Sequence, residues 1–102
     1  PLCTALREFA AAGRPLAAIC AAPSILAELG LLEGRRATSN PGFQHVLAEH
    51  GAKLVADEPV VVDGSLITSQ GAGTAMLFGL EIVRHFLGDE AVERVCTGVV
   101  LR

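Results

Sequence analysis

The stretch PVVVDGSLITS, residues 59–69, constrains the fold more than any other part of this chain. Two β-branched runs flank Asp63–Gly64, a dipeptide suited to the positive φ angles of a tight hairpin turn. An antiparallel pair of strands is expected here, and the remaining sequence must supply what covers it. Upstream, LAAIC (16–20) is a short apolar run between Pro15 and Pro23, fitting a buried parallel strand, although periodicity alone equally allows helix. RRATS (35–39) and AKLVA (52–56) read as further strands. LCTALREFAAA (2–12) forms helix with Gly13 as its stop, and a second helix starts at Pro23 and ends near Gly30 or Gly34. After a turn at Asn40–Pro41–Gly42, FQHVLAEHG gives a short helix with Phe43, Val46 and Leu47 on one face. AMLFGLEIVRHFLG (75–88) is an amphipathic helix of about four turns, closed by Gly88, with Thr74 as its candidate N-cap. DEAVERVC (89–96) adds a helix with acids in its first turn, and TGVVL (97–101) reads as a terminal strand.

This order of elements is α/β, and it implies a largely parallel sheet with helices on both faces. In such sheets chemistry collects at the carboxyl ends of the strands. Cys20, the Asn40 turn and the Gln70–Thr74 turn all fall at such ends, so three loops are expected to converge. The chain has 102 residues, enough for one domain, and carries no internal repeat or low-complexity linker.

Composition narrows the function class. The chain is 51% hydrophobic but 4% aromatic, and its mean hydropathy is +0.49. A domain this small leaves much of its surface exposed, so the apolar excess implies strands covered on both faces or surface that meets more protein. A net charge of −3 without a basic stripe argues against nucleic acid as a partner. The apolar run 16–32 is interrupted by Pro23, Ser24 and Glu28, which argues against a membrane span. Cys3, Cys20 and Cys96 form no metal-ligand spacing, and an odd count leaves a free thiol, which points to the reducing cytoplasm.

Cys20 is the candidate reactive group. A nucleophile elbow needs a sharp strand-to-helix turn with small residues two positions either side, and Ala18 and Ala22 meet that need. The N–H that follows the nucleophile then points where an oxyanion forms, and a helix N-terminus favours thiolate. The competing reading is a buried structural thiol, since cysteine is among the most buried residue types. His45 and His50 lie five apart, off the common face a metal pair needs, and His85 follows Arg84 on a solvent-facing stretch. Gly71 and Gly73 are not followed by the Lys-Ser/Thr of a phosphate loop.

AAICAAP at 17–23, TSNP at 38–41 and DGSLITSQGAGT at 63–74 together resemble the ThiJ/PfpI superfamily, nearest to the branch of the Parkinsonism-associated deglycase and its bacterial relatives. The resemblance covers nearly the whole chain but only the C-terminal part of that family's domain, so an N-terminal part is expected to be missing. It implies a flavodoxin-like, doubly wound and mostly parallel sheet with a nucleophile elbow. Cys20 matches the family's reactive, readily oxidised cysteine, and Ala21 matches one N–H of its anion pocket. The other N–H, and a glutamate that hydrogen-bonds the thiol, would lie in the absent part. Asn40 falls where human-type members carry a histidine, Ala72 replaces a proline beside Gly71 in the turn lining the pocket, and Gln70 precedes that glycine as in some bacterial members. Peptidase and chaperone-type branches place a histidine directly after the cysteine; Ala21 stands there, which argues against protease activity.

The function implied is a cysteine-dependent glyoxalase or deglycase needing no metal or organic cofactor. Its partners would be small reactive carbonyl compounds such as methylglyoxal, or glycated protein, and its assembly a homodimer. Two alternatives stand beside it. One is an oxidative-stress sensor or chaperone-like protein using Cys20 oxidation, and the other is a fragment inactive on its own.

Overall fold

In the computed structural model, which describes residues 1–101, the Asp63–Gly64 hairpin forms as expected. Strands β4 (Val60–Asp63) and β5 (Leu66–Ser69) pair antiparallel, with Val60 opposite Ser69 and Asp63 opposite Leu66. β5 then pairs in parallel with β1 (Leu16–Ile19), from Leu16 opposite Leu66 to Ile19 opposite Ser69. The sheet order is β1-β5-β4. β2 (Arg36–Ala37) and β3 (Lys53–Leu54) make a separate parallel pair. Side chains join this pair to the main sheet. The Arg36 N–H donates to Asp63 Oδ2 at 2.8 Å, Arg35 Nη2 donates to the Asp63 carbonyl at 2.6 Å, and the Thr38 N–H donates to Thr68 Oγ1 at 3.0 Å.

β5 is buried along its whole length, as a central strand covered on both faces must be. On one face Ala18, Leu26, Ala27, Leu32, Ala37, Leu47 and Leu66 form the core, fed by α2 (Pro23–Glu28) and α3 (Gln44–Glu49). Alanines at 18, 27 and 37 let backbones approach closely, while Leu32 and Leu47 fill the space between them, each fully buried. Truncating such a leucine to alanine costs about 2–5 kcal/mol. Alternation places Ile67 on the opposite face, where α4 (Ala75–Leu87) crosses β4, β5 and β1 and packs on α5 (Asp89–Gly98). Helices therefore cover both faces, and the α/β expectation holds.

Element boundaries differ from the sequence reading for local reasons. α2 ends at Glu28 because Gly30, at φ +78°, takes the left-handed position beyond its C-cap. The N–H groups of Gly30 and Leu31 then satisfy the carbonyls of Ala27 and Leu26. The RRATS strand shortens to two residues because the Thr38 N–H turns to the Thr68 hydroxyl instead of a ladder carbonyl. Phe43 leaves the face it was expected to share with Leu47. It closes a 3-10 turn over Pro41–Phe43 and stands 41% exposed, whereas Leu47 is fully buried. The expected terminal strand TGVVL is not formed. Thr97 and Gly98 extend α5, and the Leu101 N–H closes onto the Cys96 carbonyl. Val95 and Val99 are exposed, unlike the buried Ala91 and Val92, so it is the backbone bond from the Val99 N–H to the Val95 carbonyl that carries the helix past the β-branched composition.

β1 lies at one edge of the sheet with Ala17 exposed, and α1 (Leu2–Ala11) buries none of its residues. An apolar groove of about 240 Å³ runs between α1 and β1, lined by Ala5, Leu6, Phe9, Pro15, Leu16 and Ala17. Among the described residues no helix is long and apolar enough to cross a membrane.

Candidate functional site

β1 stops at Ile19, and the next residue, Cys20, takes φ +66°. Non-glycine residues rarely adopt this left-handed conformation, which costs on the order of 1–2 kcal/mol. Neighbouring hydrogen bonds hold it there. The Cys20 N–H continues the ladder to the Ser69 carbonyl at 3.1 Å, and the Cys20 carbonyl accepts the Asn40 N–H at 2.7 Å. Beyond the turn, the Ala22 N–H returns to the Ile19 carbonyl at 3.2 Å, and Ser24 Oγ donates to the Ala21 carbonyl at 2.6 Å. Pro23 then opens α2, where its missing N–H costs nothing.

Two consequences follow for chemistry. The Cys20 side chain is exposed, so the buried-thiol reading fails. The Ala21 N–H, directly after it, has no hydrogen-bond partner among the described residues. A free donor beside an exposed thiol is the arrangement that stabilises negative charge on an oxygen bound to the attacked carbon. Among the described residues no hydrogen bond reaches the Cys20 sulfur, and none of His45, His50 and His85, all exposed, is tied to the site.

The other expected loops arrive at the same end of the sheet. Asn40 accepts the Gly42 N–H on its Oδ1 at 3.0 Å, capping the 3-10 turn, while its own N–H is held by Cys20. A Cβ built on Gly71 would lie 3.8 Å from Asn40 Nδ2, so the Gly71 turn stands against the Asn40 amide. Ala72 follows as the exposed first residue of a second 3-10 turn, joined to the group only through Gly71. Thr74 occupies the position before α4 but does not cap it with its side chain. Its hydroxyl turns back, accepting the Gly71 N–H at 3.1 Å and lying 2.6 Å from Ser69 Oγ. That bond already fixes the turn, which is why the cap is lost.

Sequence reasoning overlooked the hydroxyl layer beneath this surface. Ser24, Thr38, Ser39, Thr68 and Ser69 are all buried, and Ser69 Oγ donates to the Pro59 carbonyl at 2.7 Å. The available signal was the pair Thr68–Ser69, two hydroxyls ending a strand otherwise built from Leu and Ile. Among the described residues no group of three or more His, Cys, Asp or Glu could hold a metal ion.

Comparison with known proteins agrees with this geometry. The model of the DJ-1/PfpI family matches residues 1–85. The chain is 42% identical over 96 residues to protein dj-1beta of Drosophila melanogaster, covering 94% of this chain and 51% of the fly protein. It is 40% identical over 72 residues to a deglycase of Pyrococcus abyssi, covering 71% of this chain and 43% of that one. The crystal structure of Drosophila DJ-1beta superposes with a TM-score of 0.92 at 40% identity, over 98% of this chain and 53% of the fly chain. Oxidized DJ-1 of Toxoplasma gondii gives 0.86 at 28% identity, over 97% of this chain and 53% of that chain. The chain thus spans about half the length of these relatives, and the elbow, the order of motifs and the superposition agree that it belongs to the DJ-1/PfpI family.

Proposed function

We propose that this chain carries the cysteine part of a site that converts α-oxoaldehydes, or their adducts on protein, into hydroxy acids. The observation that carries the reading is the exposed Cys20 at φ +66°, followed by the unpartnered Ala21 N–H. A thiolate at Cys20 would attack the aldehyde carbon, forming a C–S bond while the carbonyl electron pair moves onto oxygen. The Ala21 N–H would hydrogen-bond that oxygen until it takes a proton, giving a hemithioacetal. Removing the C–H proton of this carbon while the adjacent ketone oxygen takes one gives an enediol; the hydroxyl on the sulfur-bearing carbon then loses its proton as the neighbouring carbon gains one, giving a 2-hydroxy thioester. Water then cleaves the C–S bond, releasing the hydroxy acid and the thiol. The proton carrier would be the glutamate that the family resemblance places outside these 102 residues. Asn40 and the Gly71–Ala72 turn would line the substrate side. The deglycase name of the Pyrococcus relative supports the substrate class.

A second reading uses the same cysteine without turnover. An exposed sulfur with no hydrogen-bond partner among the described residues is open to peroxide, and the Toxoplasma relative is described in its oxidized state. In this reading Cys20 becomes a sulfinic acid held by the Ala21 N–H. We place the protein in the cytoplasm as a homodimer, on its odd cysteine count and its family. The unburied α1 and open β1 edge support the view that these residues act together with further protein, which the inactive-fragment alternative requires.

Methylglyoxal loss and lactate formation, compared between wild type and Cys20→Ser in a Cys3→Ser, Cys96→Ser background, test the enzymatic reading. Turnover confined to the Cys20 form supports it, and equal loss in both overturns it. Mass spectrometry after peroxide tests the sensor reading on the native chain. Oxidation of Cys3 or Cys96 before Cys20 overturns it.

A further inference from the structure

Between β3 and β4 the chain crosses the end of the sheet as residues 55–59, and its carbonyls collect donors from both loops beside Cys20. The Ala56 carbonyl accepts Gln70 Nε2 at 2.8 Å and Gln44 Nε2 at 3.1 Å. A carbonyl oxygen has two lone pairs, so both are in use. Gln44 Nε2 also lies 3.3 Å from the Ser39 carbonyl. Three residues on, the Pro59 carbonyl accepts Ser69 Oγ at 2.7 Å and the Gln70 N–H at 3.3 Å. The start of the crosspiece is itself anchored, since the Val55 N–H donates to the Ala37 carbonyl at 2.9 Å.

We infer that Gln44 and Gln70 are positioning residues which, through the shared Ala56 carbonyl, hold the Asn40 and Gly71 turns in place around Cys20. The inference rests on the reading of Cys20 as the reacting group. Among the described residues Cys20 forms no hydrogen bond to either glutamine. Its main chain is held by the Asn40 N–H and the Ser69 carbonyl. Asn40 opens the 3-10 turn that runs into Gln44, and Ser69 immediately precedes Gln70. A residue in a strained left-handed conformation persists only where its surroundings over-determine it. The clasp supplies that over-determination, because it joins the two strand-end segments that grip the elbow from opposite sides. Loosening it lets the elbow relax and takes the Ala21 N–H out of line with the thiol.

The competing account is that two half-buried glutamines contribute to general stability and nothing more. The test separates the two. In the 102-residue chain with Cys3→Ser and Cys96→Ser, the variants Gln44→Leu, Gln70→Leu and the near-isosteric Gln70→Glu are compared with Arg35→Leu. Arg35 joins Asp63 at the opposite end of β5, so its loss lowers stability away from the elbow. Three quantities are read: the rate of Cys20 alkylation by iodoacetamide at neutral pH, hydrogen exchange of the Asn40 N–H, and the thermal midpoint. Each glutamine variant is expected to speed Asn40 exchange and slow Cys20 alkylation at neutral pH by about fivefold, the worth of one ordinary hydrogen bond. Arg35→Leu is expected to lower the thermal midpoint and leave the first two unchanged. Wild-type exchange and alkylation in the glutamine variants overturn the inference, and so does an equal effect of Arg35→Leu. If methylglyoxal loss is equal in wild type and Cys20→Ser while the glutamine variants still alter Cys20 alkylation, the enzymatic reading fails and the clasp stands.

Discussion

The backbone N–H of Asn40 donates to the carbonyl of Cys20 at 2.7 Å, joining the end of β1 to a loop twenty positions later in the chain. This bond and the ladder bond to Ser69 hold Cys20 at φ +66°. Glycine adopts that conformation without strain, and a β-branched residue adopts it worst. Cys20→Gly is therefore expected to be at least as stable as wild type, while Cys20→Val loses about 2 kcal/mol. Urea denaturation checks this. A Cys20→Val variant as stable as Cys20→Gly means the elbow carries no strain.

Thr38 and Thr68 are both fully buried, yet their hydroxyls differ in use. Thr68 Oγ1 accepts the Thr38 N–H at 3.0 Å, whereas Thr38 Oγ1 has no partner among the described residues. Replacing an unpaired buried hydroxyl by a methyl of the same shape removes a desolvation cost. Thr38→Val is expected to raise stability by about 1 kcal/mol, and Thr68→Val to lower it by about 1–3 kcal/mol because it orphans a buried N–H. Opposite signs in thermal or chemical denaturation are the result to look for, and equal losses would contradict the assignment.

Asp63 titrates below its ordinary value of 3.8, chiefly because the Arg36 N–H donates to its carboxylate. Partial burial opposes this, and the charges of Arg35 and Arg36 reinforce it. A carboxyl whose folded pKa is depressed contributes stability above its unfolded pKa and loses it as pH falls through the folded value. Asp63→Ala is expected to cost about 1 kcal/mol at neutral pH, allowing for the partial exposure of the pair. Its gap to wild type should stay constant down to about pH 5 and close below the ordinary value. A gap independent of pH between 7 and 2 would rule out the charged carboxylate as its cause.

Just beyond α5 and its C-cap Val99, Val100 takes φ +58°, the position glycine takes after α2. The Val100 and Leu101 N–H groups satisfy the carbonyls of Thr97 and Cys96, so the cap is complete although its residue is poorly suited. Val100→Gly is expected to stabilise the chain by roughly 0.5–1 kcal/mol, since relief of strain exceeds the added freedom of the unfolded chain. Thermal melts of the pair would show a higher midpoint for the glycine form; a lower one would mean that the valine side chain packs more than it strains.

Much of this was legible in the residues. Asp63–Gly64 between β-branched runs announced the hairpin, Pro23 announced the start of α2, and Ala18 and Ala22 marked the elbow around Cys20. These signals are local: a turn, a fixed φ or a small side chain acts within a few residues, so sequence alone carries them. The family resemblance rests on the same short motifs. Less legible were the ends of elements. TGVVL has strand composition, yet the Val99, Val100 and Leu101 N–H groups bond the carbonyls of Val95, Thr97 and Cys96, so the helical backbone ladder overrode propensity.

What the sequence determined by itself was the order of elements up to α5, the hairpin and the position of Cys20 on its turn. The tertiary structure alone decided that Cys20 is exposed while Ser39 and Ser69 beside it are buried, that Asn40 binds the elbow through its main chain, and that Gln44 and Gln70 meet at one carbonyl. Those relationships join residues far apart in the chain through carbonyls and N–H groups that every residue possesses. No residue identity marks which of them will pair, and only the folded path of the backbone brings them within hydrogen-bonding distance.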